Sequence, residues 1–215
     1  MINAVDEYVI YDDVNFINRG WIHRNRILVD GQPKYINLPM FGASQNKLIK
    51  DIAVNNDEKE IIRNLSIIYN AYKKAPYFKE VYPILQECLQ CGKSNVAEYI
   101  GDSLDILCNY LGIETKLIYS SSINKDCTLK GETKILQICE LRNATDYYNA
   151  IGGQTLYSSE NFAKKGMNLY FLKTEELEYK QFENDFQANL SIIDVMMFNS
   201  KEEISSMLDK YVLIR

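Results

Sequence analysis

Short apolar segments alternate with helical patterns along this chain, and that alternation limits the folds it can adopt. The strand-like segments are residues 7–11, 21–29, 34–39, 116–120 and 168–172. Between them, apolar residues recur at helical intervals, as in the set Ile61, Leu65, Ile68 and Tyr72. This order predicts an α/β fold with a mostly parallel sheet flanked by helices, a Rossmann-like layered architecture that leaves room for a small helical subdomain. At 215 residues, one domain over 1–215 is expected.

Two further helices have recognisable ends. One helical face carries Ile100, Leu104, Leu107 and Leu111. Gly112 is placed to end that helix. Ser200 and Glu203 have the spacing of a capping box at the start of another. An amphipathic final helix is then expected to contain Ile204, Met207, Leu208 and Tyr211.

Polar side chains follow two of the predicted strands. Asp12 and Asp13 come directly after the first, and Ser120 and Ser121 end the strand near residue 118. Open α/β sheets bind ligands at the carboxyl ends of their strands, so these residues are candidate site residues. Ordinary turn chemistry explains the same pattern without a ligand.

A basic segment lies within the second predicted strand. If residues 21–27 are extended, Arg24 and Arg26 share one face while His23 and Asn25 share the other. Arg24, Asn25 and Arg26 are therefore candidates to hold a phosphate or carboxylate. The alternative is that these side chains simply face water.

A third candidate segment is YYNAIGGQTLY at residues 147–157. Gly152 and Gly153 allow a sharp turn or a close approach of the backbone to a ligand. Asn149 and Tyr157 offer hydrogen bonds to a polar substrate. The segment lacks the spacing of a phosphate-binding loop. An equally good interpretation is a turn between a strand and a helix that begins near Ser158.

Composition excludes several classes of function. A net charge of −5 and a pI near 5.1 argue against nucleic acid as a general ligand, because that requires a broad basic surface. No apolar window approaches the length of a membrane span. Five cysteines without a secretory signal indicate reduced thiols and a cytoplasmic location. Cys88 and Cys91 form a lone CxxC with no partner pair, so no metal site is predicted. The sequence indicates no particular cofactor.

Standard catalytic signatures are also missing. The chain has one histidine, His23, and no nucleophile elbow or zinc-protease motif. Asp12 or Asp13 would then be the catalytic candidates. One of them could act as a general base if its neighbour or burial raised its pKa toward neutrality. The pair could instead hold Mg²⁺ against substrate phosphates.

Four segments together resemble the WbqC-like protein family. They are DEYVIYDDVNFINRGWIHRNRI at 6–27, SS at 120–121, YYNAIGGQTLY at 147–157 and LSIIDVMMFN at 190–199. The resemblance spans nearly the whole chain. Members of this family usually open with a strand and a segment of the type QPxYFPWxGYF, which the sequence lacks before Ile2. His23 stands where the family pattern has asparagine or glutamine, which weakens a catalytic role for it.

The resemblance implies a role in surface polysaccharide (O-antigen) biosynthesis. The implied activity is transfer of an amino acid such as glycine, or of another acyl group, to the amine of a nucleotide-linked sugar. In that scheme Arg24 and Arg26 would bind an anionic group, Asp12 or Asp13 would accept a proton, and the Tyr157 region would contact the sugar. A non-catalytic sugar-nucleotide-binding protein and a glycosyltransferase of the same pathway are the alternatives.

Overall fold

The computed structural model describes residues 1–183 and 185–215. Its strands are β1 (Glu7–Ile10), β2 (Arg24–Val29), β3 (Gln32–Asn37), β4 (Met40–Phe41), β5 (Ala53–Val54), β6 (Lys116–Tyr119), β7 (Asp146–Ala150), β8 (Asn168–Thr174) and β9 (Tyr211–Ile214). Its helices are α1 (Glu58–Tyr72), α2 (Phe78–Leu89), α3 (Val96–Leu111), α4 (Gly131–Leu141), α5 (Ser159–Lys164), α6 (Ile192–Phe198) and α7 (Lys201–Leu208). Each of the five predicted strands is therefore present.

The strands form small separate sheets. β1 pairs with β6 in parallel, and β7 pairs with β8 in parallel, while β9 runs antiparallel on the other side of β8. β2 and β3 form an antiparallel hairpin, and β4 pairs with β5. The hairpin turns at Asp30 and Gly31, whose φ angles of 51° and 72° lie in the left-handed region that two-residue hairpin turns require.

The fold is mixed α/β, and the prediction of a mostly parallel, Rossmann-like sheet is not confirmed. Two of the predicted strands, β2 and β3, pair with each other because their connection is too short for a parallel crossover. The two parallel pairs, β1–β6 and β7–β8, are not hydrogen-bonded to one another. The parallel character is thus confined to two short ladders.

The helix ends follow the sequence signals, with one exception. Gly112 ends α3 with a φ of 71°, and Ser200 and Glu203 form both bonds of the capping box of α7. The prediction that Tyr211 belongs to the final helix is wrong. α7 stops at Leu208, and Tyr211 begins β9 opposite Thr174 of β8. The backbone hydrogen bonds that β9 forms with β8 stabilise this segment as a strand, whereas the helical spacing would have extended α7 by only one turn.

Apolar side chains gather in three clusters. The largest packs β2 against α1, α2 and α6, with Ile27, Ile68, Val81 and Met197 among its fully buried members. A second lies between α4 and the β7–β8 ladder, and a third surrounds Phe16. The second cluster lies beneath the parallel strands whose carboxyl ends carry the candidate site.

In the part of the chain that is described, no helix combines the length and apolarity needed to cross a bilayer.

Candidate functional site

The carboxyl ends of β1 and β6 bring two of the predicted segments together. Parallel pairing places Ile10 opposite Tyr119, so Asp12 and Ser121 leave the ladder side by side. Asp12 is buried, and its carboxylate accepts hydrogen bonds from the Ser121 backbone N–H at 2.9 Å and the Ser121 hydroxyl at 2.5 Å. The prediction that these residues follow the carboxyl ends of two strands is therefore confirmed, and the structure adds that the two strands are neighbours. Both oxygens of Asp12 therefore accept from Ser121, which follows β6.

Asp13 lies between two buried lysines. Its two carboxylate oxygens form ion pairs with the ammonium groups of Lys125 and Lys134, each at 2.8 Å. Only 1% and 6% of these lysine side chains are exposed, so both ammonium groups depend on Asp13 for compensation. Lys134 also donates to the Asp13 backbone carbonyl at 2.9 Å, and Lys125 donates to the carbonyl of Ser120. The group connects the segments after β1 and β6 to α4.

This arrangement fixes the protonation state of Asp13. Burial alone would raise the pKa of its carboxyl, but the bonds from Lys125 and Lys134 outweigh burial and lower the pKa to about 2. The expectation that a raised pKa prepares a general base near neutral pH is therefore wrong for Asp13. A Mg²⁺ ion held by the carboxylate pair would have to displace a lysine. Among the described residues, no three His, Cys, Asp or Glu side chains form a metal-binding group.

Tyrosines connect this group to the end of β7. The ammonium of Lys134 lies 4.8 Å from the centre of the Tyr11 ring, an arrangement that favours a cation–π contact. Tyr147 of β7 contacts Tyr157 edge-on, with ring centres 5.6 Å apart. Tyr11 and Tyr157 line one cleft together with Asn149. Burial, with the nearby Asp13 and Tyr157, raises the pKa of Tyr11 to about 12, so its phenol is a neutral hydrogen-bond donor.

The glycine pair after β7 has one constrained member. A Cβ on Gly153 would lie 3.0 Å from the side-chain amide of Asn149, so glycine lets the turn close over that amide. A Cβ on Gly152 would meet nothing within 4 Å. Asn149 donates to the Tyr147 hydroxyl at 3.3 Å. The turn leads to Ser158, which caps α5, and the predicted helix start is thus confirmed.

The basic segment lies elsewhere. Arg24 and Arg26 share one face of β2 as predicted, since both guanidinium groups approach the Trp21 ring, at 5.7 and 5.5 Å. Arg24 also lies 4.5 Å from the centre of the Tyr35 ring on β3. Arg26 donates to the carbonyl of Asn189 at 2.9 Å.

No hydrogen bond or ion pair among residues 1–183 and 185–215 joins this hairpin to the carboxylates. Neither arginine contacts Asp12 or Asp13, and Asn25 is exposed. The predicted convergence of two carboxylates and two guanidinium groups on one ligand is therefore not seen in these contacts. His23 packs near Phe16, and burial together with the Arg24 charge lowers its pKa, which fits a structural role.

Sequence reasoning missed the two lysines. Lys134 lies four residues before Ile138, so it shares a buried face of α4 with that residue. A lysine at helical spacing on a buried face is a detectable signal. Lys125 carries no comparable signal, because it lies in a loop and reaches Asp13 only through the fold.

Comparisons with known proteins agree with the motifs. An uncharacterized protein of Mycobacterium tuberculosis, Rv1507c, is 27% identical over 205 residues, which are 93% of this chain and 86% of that relative. No solved structure matches this chain. The family model described as the WbqC-like protein family matches residues 1–206. Because that match covers nearly the whole chain, the protein belongs to the WbqC-like protein family.

Proposed function

We propose that this protein acts in surface polysaccharide biosynthesis. It would bind a nucleotide-linked amino sugar at the carboxyl ends of β1, β6 and β7 and transfer glycine or another acyl group to the sugar amine. Family membership suggests a function related to polysaccharide biosynthesis. The observation that carries the proposal is that Asn149 and Tyr157 line one cleft with Tyr11, the residue directly before the Asp12 that is bonded to Ser121. Strand ends of this kind are where α/β proteins bind nucleotides and sugars.

The groups that line the cleft suit a polyhydroxylated ligand. Tyr11 and Tyr157 present phenols, and Asn149 presents an amide that can both donate and accept. The Tyr11 phenol stays protonated at neutral pH because its pKa is about 12. Neutral donors and acceptors around an aromatic wall recognise sugar hydroxyls through directed hydrogen bonds.

The buried carboxylates Asp12 and Asp13 hold the segments around the site in position. Asp12 and Asp13 fix the segments after β1 and β6 to each other and to α4, and that rigidity holds the cleft residues in place. In the transfer, the sugar amine nitrogen forms a bond to the acyl carbon. The donor's leaving group departs with its electron pair, and the amine proton passes to that group or to water. An Asp13 carboxyl with a pKa of about 2 is too weak a base for that proton, so we assign Asp13 a positioning role.

Product formation tests the proposal. The protein is incubated with a nucleotide-linked 4-amino sugar and an activated glycine donor, and the sugar nucleotide is examined by mass spectrometry for one added glycyl group. We expect product with the wild type and at least a tenfold lower rate for Tyr157→Phe and Asn149→Ala. Tyr170→Phe removes a matched hydroxyl from β8, where it accepts from Arg215, and should not change the rate. Equal rates in all four proteins would contradict the proposed site.

The same assay decides whether the hairpin takes part. Arg24 and Arg26 remain proposed anion-binding residues. Arg24→Ala lowers the rate if the nucleotide phosphates reach β2, and leaves it unchanged if the substrate stays at the strand ends. The stacking of Arg24 on Tyr35 favours the second result, because that guanidinium already has a partner.

One observation favours a second function, a sugar-nucleotide-binding protein without turnover. Every oxygen of the two carboxylates is hydrogen-bonded or ion-paired within the protein, which leaves neither carboxylate free to accept a proton from a substrate. Calorimetry with the sugar nucleotide alone distinguishes the two functions. Saturable binding with no product in the mass assay supports the binding protein, and product formation excludes it.

A further inference from the structure

An aromatic and basic surface lies at the open end of the β2–β3 hairpin. The Trp21 and Tyr35 rings lie 6.1 Å apart, and the Arg24 guanidinium lies 5.7 Å from the first ring and 4.5 Å from the second. The Arg26 guanidinium lies 5.5 Å from the Trp21 ring. With two residues of the preceding turn these side chains form a surface that we call the hairpin patch, which consists of Ile17, Arg19, Trp21, Arg24, Arg26 and Tyr35.

The turn before β2 is fixed to the hairpin. The Gly20 N–H donates to the Ile17 carbonyl at 3.3 Å, and this bond closes the turn. Arg24 donates to the Gly20 carbonyl at 3.1 Å and to the Arg19 carbonyl. These bonds hold the backbone of the turn, while Ile17 and Arg19 stay exposed to solvent. The hairpin patch is therefore formed before any partner binds.

The apolar side chains of the hairpin patch are exposed. Ile17 is 62% exposed, Trp21 59% and Tyr35 51%. At about 200 Å² for a full side chain of this size, the three leave roughly 350 Å² of surface in water. A stable interface between two proteins takes about 800 Å² from each partner, and more than half of that area is apolar. The hairpin patch falls short of this, whereas a bilayer accepts a shallow insertion of a few side chains without a matched surface.

The hairpin patch is also a basic region in an acidic chain. Residues 14–29 contain three arginines and no acidic residue, whereas the whole chain has a net charge of −5. Among residues 1–183 and 185–215, no carboxylate forms an ion pair with Arg19, Arg24 or Arg26. Asp30, the next acidic residue along the chain, lies at the closed end of the hairpin. The patch therefore presents three positive charges beside exposed apolar side chains.

An anionic bilayer is the partner whose chemistry matches both properties. Tryptophan and tyrosine rings are stable at the level of the lipid head groups, where one end of the ring is apolar and the other is wet. Guanidinium groups bind phosphate oxygens through paired hydrogen bonds, and basic residues near an anionic leaflet are attracted to it. Lipid phosphates would thus compensate the arginines while acyl chains cover the apolar side chains.

We infer that the hairpin patch docks this protein on a bilayer surface that contains anionic phospholipids. Ile17 and Trp21 enter the boundary between head groups and acyl chains, and the three arginines lie against lipid phosphates. Docking of this kind requires no membrane-spanning helix. The inference goes beyond the proposed function and does not rest on it, because lipid binding is measured without a sugar nucleotide.

The fluorescence of Trp21 tests the inference, because this is the one tryptophan of the chain. The wild-type protein is titrated with vesicles of phosphatidylcholine and phosphatidylglycerol, prepared with ordinary or with brominated acyl chains. We expect a blue shift of the emission and quenching by the brominated lipid. Vesicles of phosphatidylcholine alone should bind at least about tenfold more weakly, because they lack the net negative charge that attracts three arginines.

Two pairs of variants locate the contact. Arg19→Gln should weaken binding to the anionic vesicles about fivefold, whereas Arg215→Gln removes the same charge from an exposed arginine after β9 and should leave binding nearly unchanged. Ile17→Ser should reduce the quenching by brominated lipid. Ile62→Ser, at an isoleucine of α1 that is 51% exposed, should not reduce it.

Four results would overturn the inference. The first is no binding to the anionic vesicles, and the second is equal weakening by Arg19→Gln and Arg215→Gln. The third is a Trp21 emission shift that grows with protein concentration in the absence of vesicles, which would assign the patch to contact with a second copy. The fourth is the same shift with glycerol phosphate alone, which would assign the patch to a free anion.

Discussion

Replacing Asp13 with asparagine should destabilise the fold far more than removing a surface carboxylate does. Asp13 compensates the ammonium groups of Lys125 and Lys134, both at 2.8 Å and both almost fully buried. Asparagine is neutral, and its amide NH2 group, which takes the place of one carboxylate oxygen, cannot accept from the lysine paired with that oxygen. At least one ammonium is then left buried without a charge partner.

The size of the loss follows from the pKa of Asp13. Lowering that pKa from 3.8 to about 2 corresponds to about 2 kcal/mol of stability at neutral pH. Leaving a buried charge uncompensated raises the expected cost of the substitution to about 3–5 kcal/mol. For a domain of this size that is a fall in Tm of about 10 °C.

Urea unfolding at neutral pH measures the effect. Asp30→Asn is the matched control, because the Asp30 side chain is 91% exposed and lies 3.9 Å from Lys34. It should change the free energy of unfolding by no more than about 0.5 kcal/mol. If the two variants differ in free energy of unfolding by less than about 1 kcal/mol, the reasoning is refuted, because removing an exposed ion pair can cost that much by itself.

The pH dependence gives a second readout of the same group. The folded pKa of Asp13 is depressed, so its contribution is complete above the unfolded value of 3.8 and is lost as the pH falls toward about 2. The unfolding curves of the wild type and Asp13→Asn should therefore converge over that interval. A constant separation between pH 5 and pH 2 would contradict the assignment.

Three further predictions concern other buried groups. Gly101→Ala should destabilise by about 1–3 kcal/mol in urea unfolding, since its Cβ would overlap the Tyr119 hydroxyl, and Tyr119→Phe should restore part of the loss. Asp194→Asn should cost more than Tyr179→Phe, by at least about 1 kcal/mol in thermal unfolding, because the buried Asp194 carboxylate accepts three side-chain hydrogen bonds and Tyr179 donates only one of them. Native protein should react with one equivalent of a thiol reagent at once, and Cys127→Ser should abolish that reaction, because Cys127 is the exposed cysteine of the described chain.

The local signals of the sequence predicted local structure well. The capping box at Ser200 and the end of α3 at Gly112 depend on residues within one turn, and both are confirmed. The positions of Asp12 and Ser121 after the carboxyl ends of two strands were also predictable, but the pairing of those strands, which brings the two residues together, was not.

What could not be predicted depends on contacts between distant segments. The pairing of Asp13 with Lys125 joins residues more than a hundred positions apart, and nothing near Lys125 indicates burial. The contact of the Arg24 guanidinium with the Tyr35 ring was equally hidden, because it depends on how β2 and β3 pair. β9 was not predicted, because Tyr211 continues the helical spacing of the apolar residues in α7.

The central claim is that the strand ends bind the sugar nucleotide. A crystal structure of the protein with a nucleotide-linked 4-amino sugar tests it most directly. The account predicts ligand density beside Tyr11, Asn149 and Tyr157, at the carboxyl ends of β1 and β7. Ligand density on the β2–β3 hairpin beside Arg24 and Trp21, with none at the strand ends, would contradict it.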